Sequence, residues 1–418
     1  MIRTPYILFS SIVFVVTIML LAQGNKEETS YMSTSHNTLI PRSTVFDDPQ
    51  RSSVQISPNG MYISYVAPRD GVKNIYIAPK EEPENAWPVT SDKDRGITKY
   101  AWAYDNKHIL YLQDNNGDEN WRIYKLNIDS LESTLLTPGD NIQARFQYIS
   151  EQYPSHILVA LNTRRPDYHD IYKIDLESGN MSLVFHNDTY ADVVADNYFN
   201  IRFGQTASPD GGSIIYRIEH HTPHEHSTSV FKEIPPEHVF NTSIVHIDGD
   251  RNIAYYLDSS NRDTAALYQY DLTHDHSEIL FADDAEINSV LFHPQDDHVQ
   301  AVATCYLRSA WTCLDPQIET TFATLREAQP YDADIKIVSQ SHDNATWIVA
   351  YISDVASPQY YLLDRNHNTI HHLFNAKPEM DQYTLSPMHP VEITARDGIT
   401  LPSYLTIPAE YKQHNTAY

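Results

Sequence analysis

The amino-acid sequence predicts an all-β protein that folds as a seven-bladed β-propeller. The first observation is a strand-rich unit that recurs about every 45 residues from near Ser52 to near Phe374, a period typical of propeller blades. The second is a turn before a β-rich run, seen at Ser57-Pro58-Asn59-Gly60 and again at Ser208-Pro209-Asp210-Gly211-Gly212. Pro presets φ, and Asn, Asp and Gly tolerate positive φ, so each turn can reverse the chain between two strands.

A second kind of strand follows these turns. Apolar and polar residues alternate along it, and it ends in a turn with an acidic or amide residue. Tyrosines are frequent in these strands, and aromatic and β-branched side chains favour the half-buried, pleated surface of a sheet. Such strands are expected at residues 74–78, 121–127, 170–176, 266–272 and 359–364. Long helices with a 3.6-residue period are not evident in this span. The chain therefore divides into seven four-stranded units, which begin near Ser52, Thr98, Ile142, Tyr198, Thr242, Ile287 and Ile335.

The charge balance limits the partners of the chain. Acidic residues number 55 against 29 basic residues, which gives a formal net charge of −26. A surface of this sign is repelled by nucleic-acid backbones and by anionic lipids, so neither is an expected partner. We interpret the charge as a solvated acidic exterior that aids solubility.

The N-terminal residues 1–24 have the features of an export segment. Arg3 precedes an apolar run from Tyr6 to Ala22, and Ala22-Gln23-Gly24 offers small residues at the positions that a signal peptidase reads. Two interpretations stay open, a cleaved signal peptide and an uncleaved signal anchor, and the anchor is the membrane contact that we expect. Either one delivers the chain to the periplasm or the extracellular space. Residues 25–51 are polar and are interpreted as a linker.

The sequence contains two cysteines, Cys305 and Cys313, too few for a four-cysteine zinc site. With a turn placed around Ser309, the flanking strands 299–306 and 311–314 bring the two thiols face to face. An exported protein can form a disulfide there, which stabilises a loop of this length by roughly 2–3 kcal/mol. The alternative, two small buried residues in a packed blade, stays open.

Motifs for nucleophilic catalysis and for phosphate binding are absent from the sequence. The spacing of the 12 glycines excludes Gly-x-Ser-x-Gly, Gly-x-Gly-x-x-Gly and Gly-x-x-x-x-Gly-Lys. His-Glu-x-x-His does not occur either. We therefore predict no catalytic, cofactor-binding or metal-binding residue and no cofactor.

Three segments contain residues that could bind a metal ion or a substrate, but each has a simpler structural interpretation. Residues 219–226 are rich in histidine, but Pro223 and the lack of periodicity indicate a flexible loop, which does not orient metal ligands. Residues 114–120 lack the order and the closing Glu of a calcium loop, and Asn116-Gly117 suits a type I′ hairpin turn. Glu81-Glu82 lies in a Pro-flanked turn, so we interpret it as solvated and not as a clamp for a substrate amine.

The residues after the seventh unit resemble a known family. Residues 387–408 form a hairpin pattern in which Asp397-Gly398, after Arg396, is the turn, and Tyr404-Leu405 lies in the second strand. This pattern resembles the opening of the catalytic α/β-hydrolase domain in the prolyl oligopeptidase family of serine peptidases. The exported bacterial dipeptidyl and acylaminoacyl peptidases are the most similar branch. Residues 114–124 resemble that branch's second blade, and residues 308–314 its sixth.

The resemblance implies a domain order and a function. The order is an export segment at 1–24, a linker at 25–51, the propeller at 52–385 and the start of a hydrolase domain at 386–418. In that family the serine, aspartate and histidine of the catalytic triad come after this point, so the catalytic domain is expected to be missing. The chain would then be a propeller that gates peptide substrates, inactive alone because catalysis needs all parts of the triad together. The alternative is a free-standing exported propeller that binds a protein or a small ligand.

The same interpretation makes a prediction about the hairpin at 391–407. Isolated two-stranded hairpins are marginal in water, and an unpaired apolar edge promotes association. We therefore expect this hairpin to be the least protected β-structure in the chain and to favour aggregation.

Overall fold

The computed structural model describes residues 39–139 and 141–408, with nothing described for the side chains of residues 220 and 221. The predicted export segment, the linker as far as residue 38 and the last ten residues of the chain lie outside the described residues. Among the residues that are described, none of the helices has the length and apolar character needed to cross a membrane.

The described residues form seven antiparallel sheets in chain order, followed by a separate two-stranded hairpin. This confirms the predicted all-β, seven-bladed propeller. The first blade comprises β1 (Ser52–Ile56), β2 (Tyr62–Arg69), β3 (Val72–Pro79) and β4 (Trp87–Pro88). The second comprises β5 (Lys99–Trp102), β6 (His108–Gln113), β7 (Arg122–Asn127) and β8 (Ser133–Leu135). The third comprises β9 (Ala144–Ile149), β10 (His156–Arg165), β11 (Tyr168–Asp175) and β12 (Met181–Phe185).

The later blades follow the same meander with one exception. The fourth comprises β13 (Asp192–Ala195), β14 (Ile201–Ala207), β15 (Ser213–Thr222) and β16 (Glu225–Ile234). The fifth comprises β17 (Ser243–Asp248), β18 (Ile253–Asp258), β19 (Ala266–Asp271) and β20 (His276–Phe281). The sixth has three strands, β21 (Glu286–Phe292), β22 (Val299–Cys305) and β23 (Ser309–Cys313). The seventh comprises β24 (Asp334–Gln340), β25 (Thr346–Ile352), β26 (Gln359–Asp364) and β27 (Thr369–Asn375), and the hairpin comprises β28 (Met388–Thr394) and β29 (Thr400–Thr406).

Short helices complete the described part of the chain. Helix α1 (Arg42–Phe46) precedes the first blade, and helix α2 (Glu319–Glu327) follows β23. Short 3₁₀ helices span Pro236–His238, Pro316–Ile318 and Pro378–Gln382. The sixth blade therefore departs from the predicted four strands, because α2 stands where a fourth strand was expected. Phe322 and Leu325 of α2 are buried against Trp347 of the seventh blade, so the helix fills the space between these blades.

The apolar cores lie between neighbouring blades. Ile77 of β3 packs in one cluster with Trp102 and Ile109 of the second blade. The ring closes in the same way, since Ile56 of β1 lies in a cluster with Ile348 of β25. The first and seventh blades share no strand, so side-chain packing and hydrogen bonds between the blades hold the ring together at this point.

The turns of the blades lie on two opposite rims, because antiparallel strands put successive turns at opposite ends of a sheet. We call the rim formed by the turns between first and second strands the first-turn rim. Its members are residues 57–61, 103–107, 150–155, 196–200, 249–252, 293–298 and 341–345. Hydrogen bonds connect these turns from blade to blade. The N–H of Asn59 donates to Asn106 Oδ1 at 2.8 Å, and the N–H of His342 donates to the carbonyl of Pro58 at 2.7 Å.

The fourth blade begins six residues before the predicted start at Tyr198, because β13 (Asp192–Ala195) precedes it. The Ser57–Gly60 turn joins the first and second strands of its blade, whereas the Ser208–Gly212 turn joins the second and third strands. Both turns reverse the chain, with Gly60 at φ 72° and Gly211 at φ 92°. The residues of a turn specify that the chain reverses, but not which two strands of a blade the turn joins. The predicted start of the fourth blade was wrong for that reason.

Candidate functional site

The hairpin β28–β29 is attached to the sixth blade by two tyrosines, one from each side of the contact. The hydroxyl of Tyr306, after β22, donates to Glu392 Oε1 of β28 at 2.6 Å. The hydroxyl of Tyr404 of β29 donates to the carbonyl of Leu307 at 2.5 Å. The hydrogen bond to the Glu392 carboxylate raises the pKa of Tyr306, so this tyrosine stays a neutral donor. We call the surface where the hairpin meets these turns the junction.

Asp354, in the turn between β25 and β26, is the second anchor of the junction. Its carboxylate accepts a hydrogen bond from the N–H of Met388, the first residue of β28. Arg308 Nη2 donates to the Met388 carbonyl at 3.2 Å and lies 3.9 Å from the Asp354 carboxylate. Burial raises the pKa of Asp354, but the Met388 N–H and the Arg308 charge outweigh it and leave the pKa below its usual value. The carboxylate is therefore held charged at the point where the hairpin begins.

Beside these contacts lie a carboxyl group and a thiol that are less able to ionise. Burial raises the pKa of Asp334, whose Oδ1 accepts a hydrogen bond from the Ser309 N–H at 3.3 Å. Burial also raises the pKa of Cys305, and the nearby Asp334 carboxylate adds to this. Since the thiolate is the reactive form of cysteine, this environment does not activate Cys305 as a nucleophile. The junction has the chemistry of a structural contact and not of a catalytic centre.

The hairpin carries several large apolar side chains that are exposed. Its large apolar side chains are between 39% and 59% exposed, whereas strand residues such as Ile109 of the second blade are fully buried. The exposed set is Met388, Ile393, Ile399, Leu401, Tyr404 and Leu405. Ile393, Leu401 and Leu405 share one face of the β28–β29 ladder, opposite to the face of Tyr404. Exposed apolar side chains grouped on one face are typical of a surface that contacts another protein.

The two cysteines do not face each other, so the predicted pairing is wrong. Cys305 lies opposite Ser309 and Cys313 lies opposite Ala301 in the β22–β23 ladder. Both are free thiols. The turn comprises residues 306–308 and so comes earlier than the predicted position at Ser309. A four-residue offset at about 3.4 Å per residue separates the cysteines by roughly 14 Å along the strands, beyond the ~7 Å reach of a disulfide.

The histidine-rich segment is ordered, against the prediction of a flexible loop. Residues 213–234 form a long hairpin in which β15 and β16 pair along ten residues each. Its tip contacts the third blade, because the N–H of His186 donates to the Pro223 carbonyl at 2.8 Å and His186 Nδ1 lies 3.2 Å from His224 Nδ1. Pairing with a neighbouring strand orders a sequence that has no periodicity of its own.

Two other predictions from turn chemistry are confirmed. Asn116 (φ 54°) and Gly117 (φ 83°) have the two positive φ values of a type I′ turn, within the β6–β7 connection. Glu81 and Glu82 lie in the exposed β3–β4 turn, and the side chain of Glu81 is 84% exposed. Its neighbour Lys80 lies 3.5 Å away, as expected for a solvated pair.

One cluster of possible metal ligands was missed by the sequence analysis. His293, Asp296 and His298 lie in the β21–β22 turn, and their ligand atoms lie within 4.8 Å of one another. The spacing His-x-x-Asp-x-His within that turn is the signal that could have identified the cluster.

The sequence of the chain matches no family model, but two curated proteins are similar to it. It is 38% identical over 379 residues to dipeptidyl aminopeptidase BIII of Pseudoxanthomonas mexicana, covering 90% of this chain and 54% of that protein. It is 29% identical over 395 residues to dipeptidyl peptidase family member 6 of Caenorhabditis elegans, covering 89% of this chain and 52% of that protein. The chain thus spans about half the length of the curated relatives that it matches.

Solved structures share the fold at low sequence identity. A structure from a study of two prolyl endopeptidases has a TM-score of 0.59 and 12% identity, and the match covers 85% of this chain and 54% of the other. A post-proline cleaving enzyme from Rickettsia typhi has a TM-score of 0.59 and 11% identity, with coverage of 88% and 58%. At this identity the likeness shows the propeller fold alone.

Proposed function

This chain is a homologue of the dipeptidyl aminopeptidases and has the propeller of the prolyl oligopeptidase fold, and from this premise we propose that it is the substrate-gating propeller part of a serine peptidase. Peptides are the substrate class, and the catalytic triad belongs to a hydrolase domain that joins the propeller at the junction. By itself the chain hydrolyses no peptide, because its sequence lacks the Gly-x-Ser-x-Gly nucleophile motif that the first step requires.

The hairpin β28–β29 is the observation that carries this proposal. Its first residue, Met388, and both of its strands are hydrogen-bonded to the turns after β22 and β25. Its other side presents exposed apolar residues such as Ile393 and Leu401. A second sheet on that side would bury them at about 25 cal/mol per Å² of apolar area. The hairpin therefore has the features of a connector with one side on the propeller and one side for a further domain.

A propeller on a hydrolase domain contributes to catalysis without supplying reactive groups. It excludes water from the active site and limits the conformations and sizes of peptide that reach it. It also positions the substrate, and positioning alone can supply much of a rate enhancement. Under this proposal the junction sets the orientation of the propeller relative to the catalytic site.

The test compares the chain alone with the chain joined after its hairpin to the catalytic half of the Pseudoxanthomonas relative. Each is assayed for release of a chromogenic amine from dipeptide amides and for labelling by a fluorophosphonate probe. We expect the chain alone to be inactive and unlabelled, and the fusion to be active. Tyr306→Phe removes one junction hydrogen bond, which stabilises by about 1 kcal/mol, so we expect the fusion's activity to fall several-fold.

The matched control is Tyr331→Phe in the same fusion, because Tyr331 is an exposed tyrosine outside the junction. It should leave activity unchanged. Stoichiometric labelling of the chain alone would contradict the proposal, since it would require a nucleophile within this sequence. A correctly folded fusion that neither cleaves nor binds peptides would favour the alternative, a free-standing propeller.

We also propose that residues 1–24 direct the chain out of the cytoplasm. The support is the apolar run from Tyr6 to Ala22, with Arg3 before it and small residues after it. Expression with and without residues 1–24, followed by cell fractionation and N-terminal sequencing, tests this. Recovery of both forms in the cytoplasm would contradict it, and the mature N-terminus distinguishes a cleaved signal from an anchor.

A further inference from the structure

The cluster of His293, Asp296 and His298 converges on one carboxylate oxygen. His293 Nδ1 lies 3.2 Å from Asp296 Oδ1, and His298 Nδ1 lies 2.5 Å from the same oxygen. The two imidazole rings are stacked, with centroids 5.1 Å apart. Donors that share a zinc ion at about 2.0–2.2 Å lie roughly 3.3 Å apart. The separation of His293 Nδ1 and Asp296 Oδ1 already has this length, whereas the Asp296 carboxylate must move away from His298 Nδ1 by roughly 0.8 Å to admit an ion. Asp296 is the most exposed of the three, at 63%, so its carboxylate can adjust.

The turn that carries the cluster is held rigidly from several directions. Asp297, between two of the ligands, is buried and its Oδ1 lies 3.1 Å from Nε2 of His246, which is also buried, in the fifth blade. Arg251 Nη2 donates to the Asp296 carbonyl at 3.0 Å. The His293 N–H donates to the His298 carbonyl at 2.9 Å, which closes the turn. The backbone that carries the three ligands is therefore held in place before any ion binds.

A second carboxylate orients one of the ligands. His298 Nε2 lies 3.1 Å from Asp315 Oδ2, and this leaves Nδ1 directed at the cluster. Asp315 is itself fixed, because its Oδ1 accepts a hydrogen bond from the Gln317 N–H at 2.9 Å. Carboxylates in this position behind a ligating histidine fix the ring and raise its affinity for the metal.

Other histidines of the described residues pair with an aspartate or with a second histidine, but they do not combine two imidazoles and a carboxylate around one point. His367 and Asp364 lie 2.9 Å apart in a turn, as do His274 and Asp271 at 2.8 Å, but each pair has a single imidazole. The tip of the histidine-rich hairpin brings His224 to Nδ1 of His186, but the nearby carboxylate of Asp188 lies at the other ring nitrogen, 3.5 Å from His186 Nε2. Among the side chains that are described, these three do not form a group of converging ligands. Among the described side chains, which leave out those of residues 220 and 221, the cluster in the β21–β22 turn is the one group that brings three such ligands together.

We propose that His293 Nδ1, Asp296 Oδ1 and His298 Nδ1 bind a divalent transition-metal cation of the zinc class, with water completing the coordination. Imidazole ligands select zinc, nickel, cobalt or copper, whereas calcium and magnesium prefer oxygen ligands. The site lies on the first-turn rim, at the opposite ends of the blades from the turns that form the junction. Since all three ligands belong to the β21–β22 turn, the expected effect of the ion is to stabilise this turn of the sixth blade, independently of peptide hydrolysis.

The test is calorimetric titration of the metal-free full-length chain with zinc chloride, with a parallel titration by Co²⁺, whose visible absorption reports ligand geometry. We expect one equivalent whose affinity falls at least about tenfold in both His298→Ala and Asp296→Asn. His367→Ala is the matched control, a histidine in the same kind of Asp–His turn, and should change nothing. Asp315→Asn keeps all three ligands and should weaken binding by about 10–100-fold.

The variant His224→Ala distinguishes zinc bound by the histidine-rich hairpin from zinc bound at the proposed site, which this substitution should leave intact. Absence of zinc binding by the wild-type chain would overturn the proposal. Binding that His224→Ala removes, and that His298→Ala and Asp296→Asn leave unchanged, would overturn it equally. If His298→Ala does not fold, Asp296→Asn and Asp315→Asn decide the outcome.

Discussion

The seven blades and the C-terminal hairpin use the same antiparallel pairing but differ in what covers their surfaces. Leu110 of β6 lies in a sheet that packs on both sides and is fully buried. Leu405 of β29 occupies a comparable strand position, but 48% of it is exposed. The hairpin is joined to the propeller through a few polar contacts at its edge, such as Tyr306 with Glu392, and not through an apolar core.

This difference shows that strand pairing and core formation are separate contributions to stability. Backbone pairing in β28–β29 is continuous over seven residue pairs, yet it buries little apolar surface. Burial of apolar surface is the dominant favourable term in folding, so the hairpin depends on the propeller, or on a further domain, for most of its stability.

The largest expected effect comes from substituting matched leucines in the two regions. Leu110→Ala leaves a cavity in a closed core and should lower the free energy of unfolding by about 2–5 kcal/mol. Leu405→Ala removes an exposed side chain and should change it by less than about 0.5 kcal/mol. Urea denaturation followed by circular dichroism measures both. Equal destabilisation by the two substitutions would show that the hairpin is part of the propeller core.

The next effect is on hydrogen exchange. Amides in the peptide that covers β28–β29 should exchange at least about 100-fold faster than amides in β6 and β15, because a locally attached hairpin opens without unfolding the propeller. Mass spectrometry of peptic fragments resolves these segments. Protection of the hairpin equal to that of the blades would contradict the expectation and favour a free-standing propeller in which the hairpin is a full element.

The propeller and the hairpin should also lose stability in different pH ranges. In the propeller, the titrating group is His169 of the third blade. Burial, reinforced by the Arg145 charge, lowers the pKa of His169 from 6.5 to about 4. Its Nε2 is buried and has no hydrogen-bond partner among the described residues. Because the unfolded chain binds more protons between these values, stability should fall as the pH drops from about 6.5 towards 4. Thermal melts of wild type and His169→Gln should diverge in that window, and coincident curves would refute this assignment.

The hairpin should respond at lower pH through Asp354. Its folded-state pKa lies below the usual 3.8, so its stabilising contribution is complete above that value and is lost as the pH falls through the folded pKa. Exchange in β28 should accelerate below about pH 4 in the wild type. In Asp354→Asn the acceleration should be absent, and an unchanged acid response in that variant would show that another group holds the hairpin.

The smallest effect concerns the cysteines of the sixth blade. Since Cys305 and Cys313 are free thiols, the double substitution to Ser should change the free energy of unfolding by less than about 1 kcal/mol. Thiol titration of the unreduced protein should give two reactive groups in denaturant, with Cys305 reacting first in the native state because it is the more exposed. Recovery of no free thiol would contradict the observed register.

Much of the fold could be predicted from local sequence signals. Turns such as Asn116-Gly117 specify φ angles, and runs such as 121–127 and 266–272 specify strands, so their positions follow from residues that are close in the chain. The hairpin turn at Asp397-Gly398 was located in the same way, and its Gly398 has φ 88°. The position of the candidate metal ligands could have been found from spacing, but their convergence could not, since it depends on His246, Arg251 and Asp315 from other parts of the chain.

The sequence by itself determined the repeat, the strand-forming segments and the chain reversals of this protein, because these depend on side-chain shape and backbone freedom over a few residues. The tertiary structure decided where the fourth blade begins, where helix α2 lies beside the sixth blade, which residues face Cys305 and Cys313, and which strands pair in the histidine-rich hairpin. The position of α2 depends on packing against the seventh blade, and the two hairpin registers depend on how their strands pair and pack in the sheet. Such packing is selected by the burial of whole surfaces, and a local pattern does not encode it.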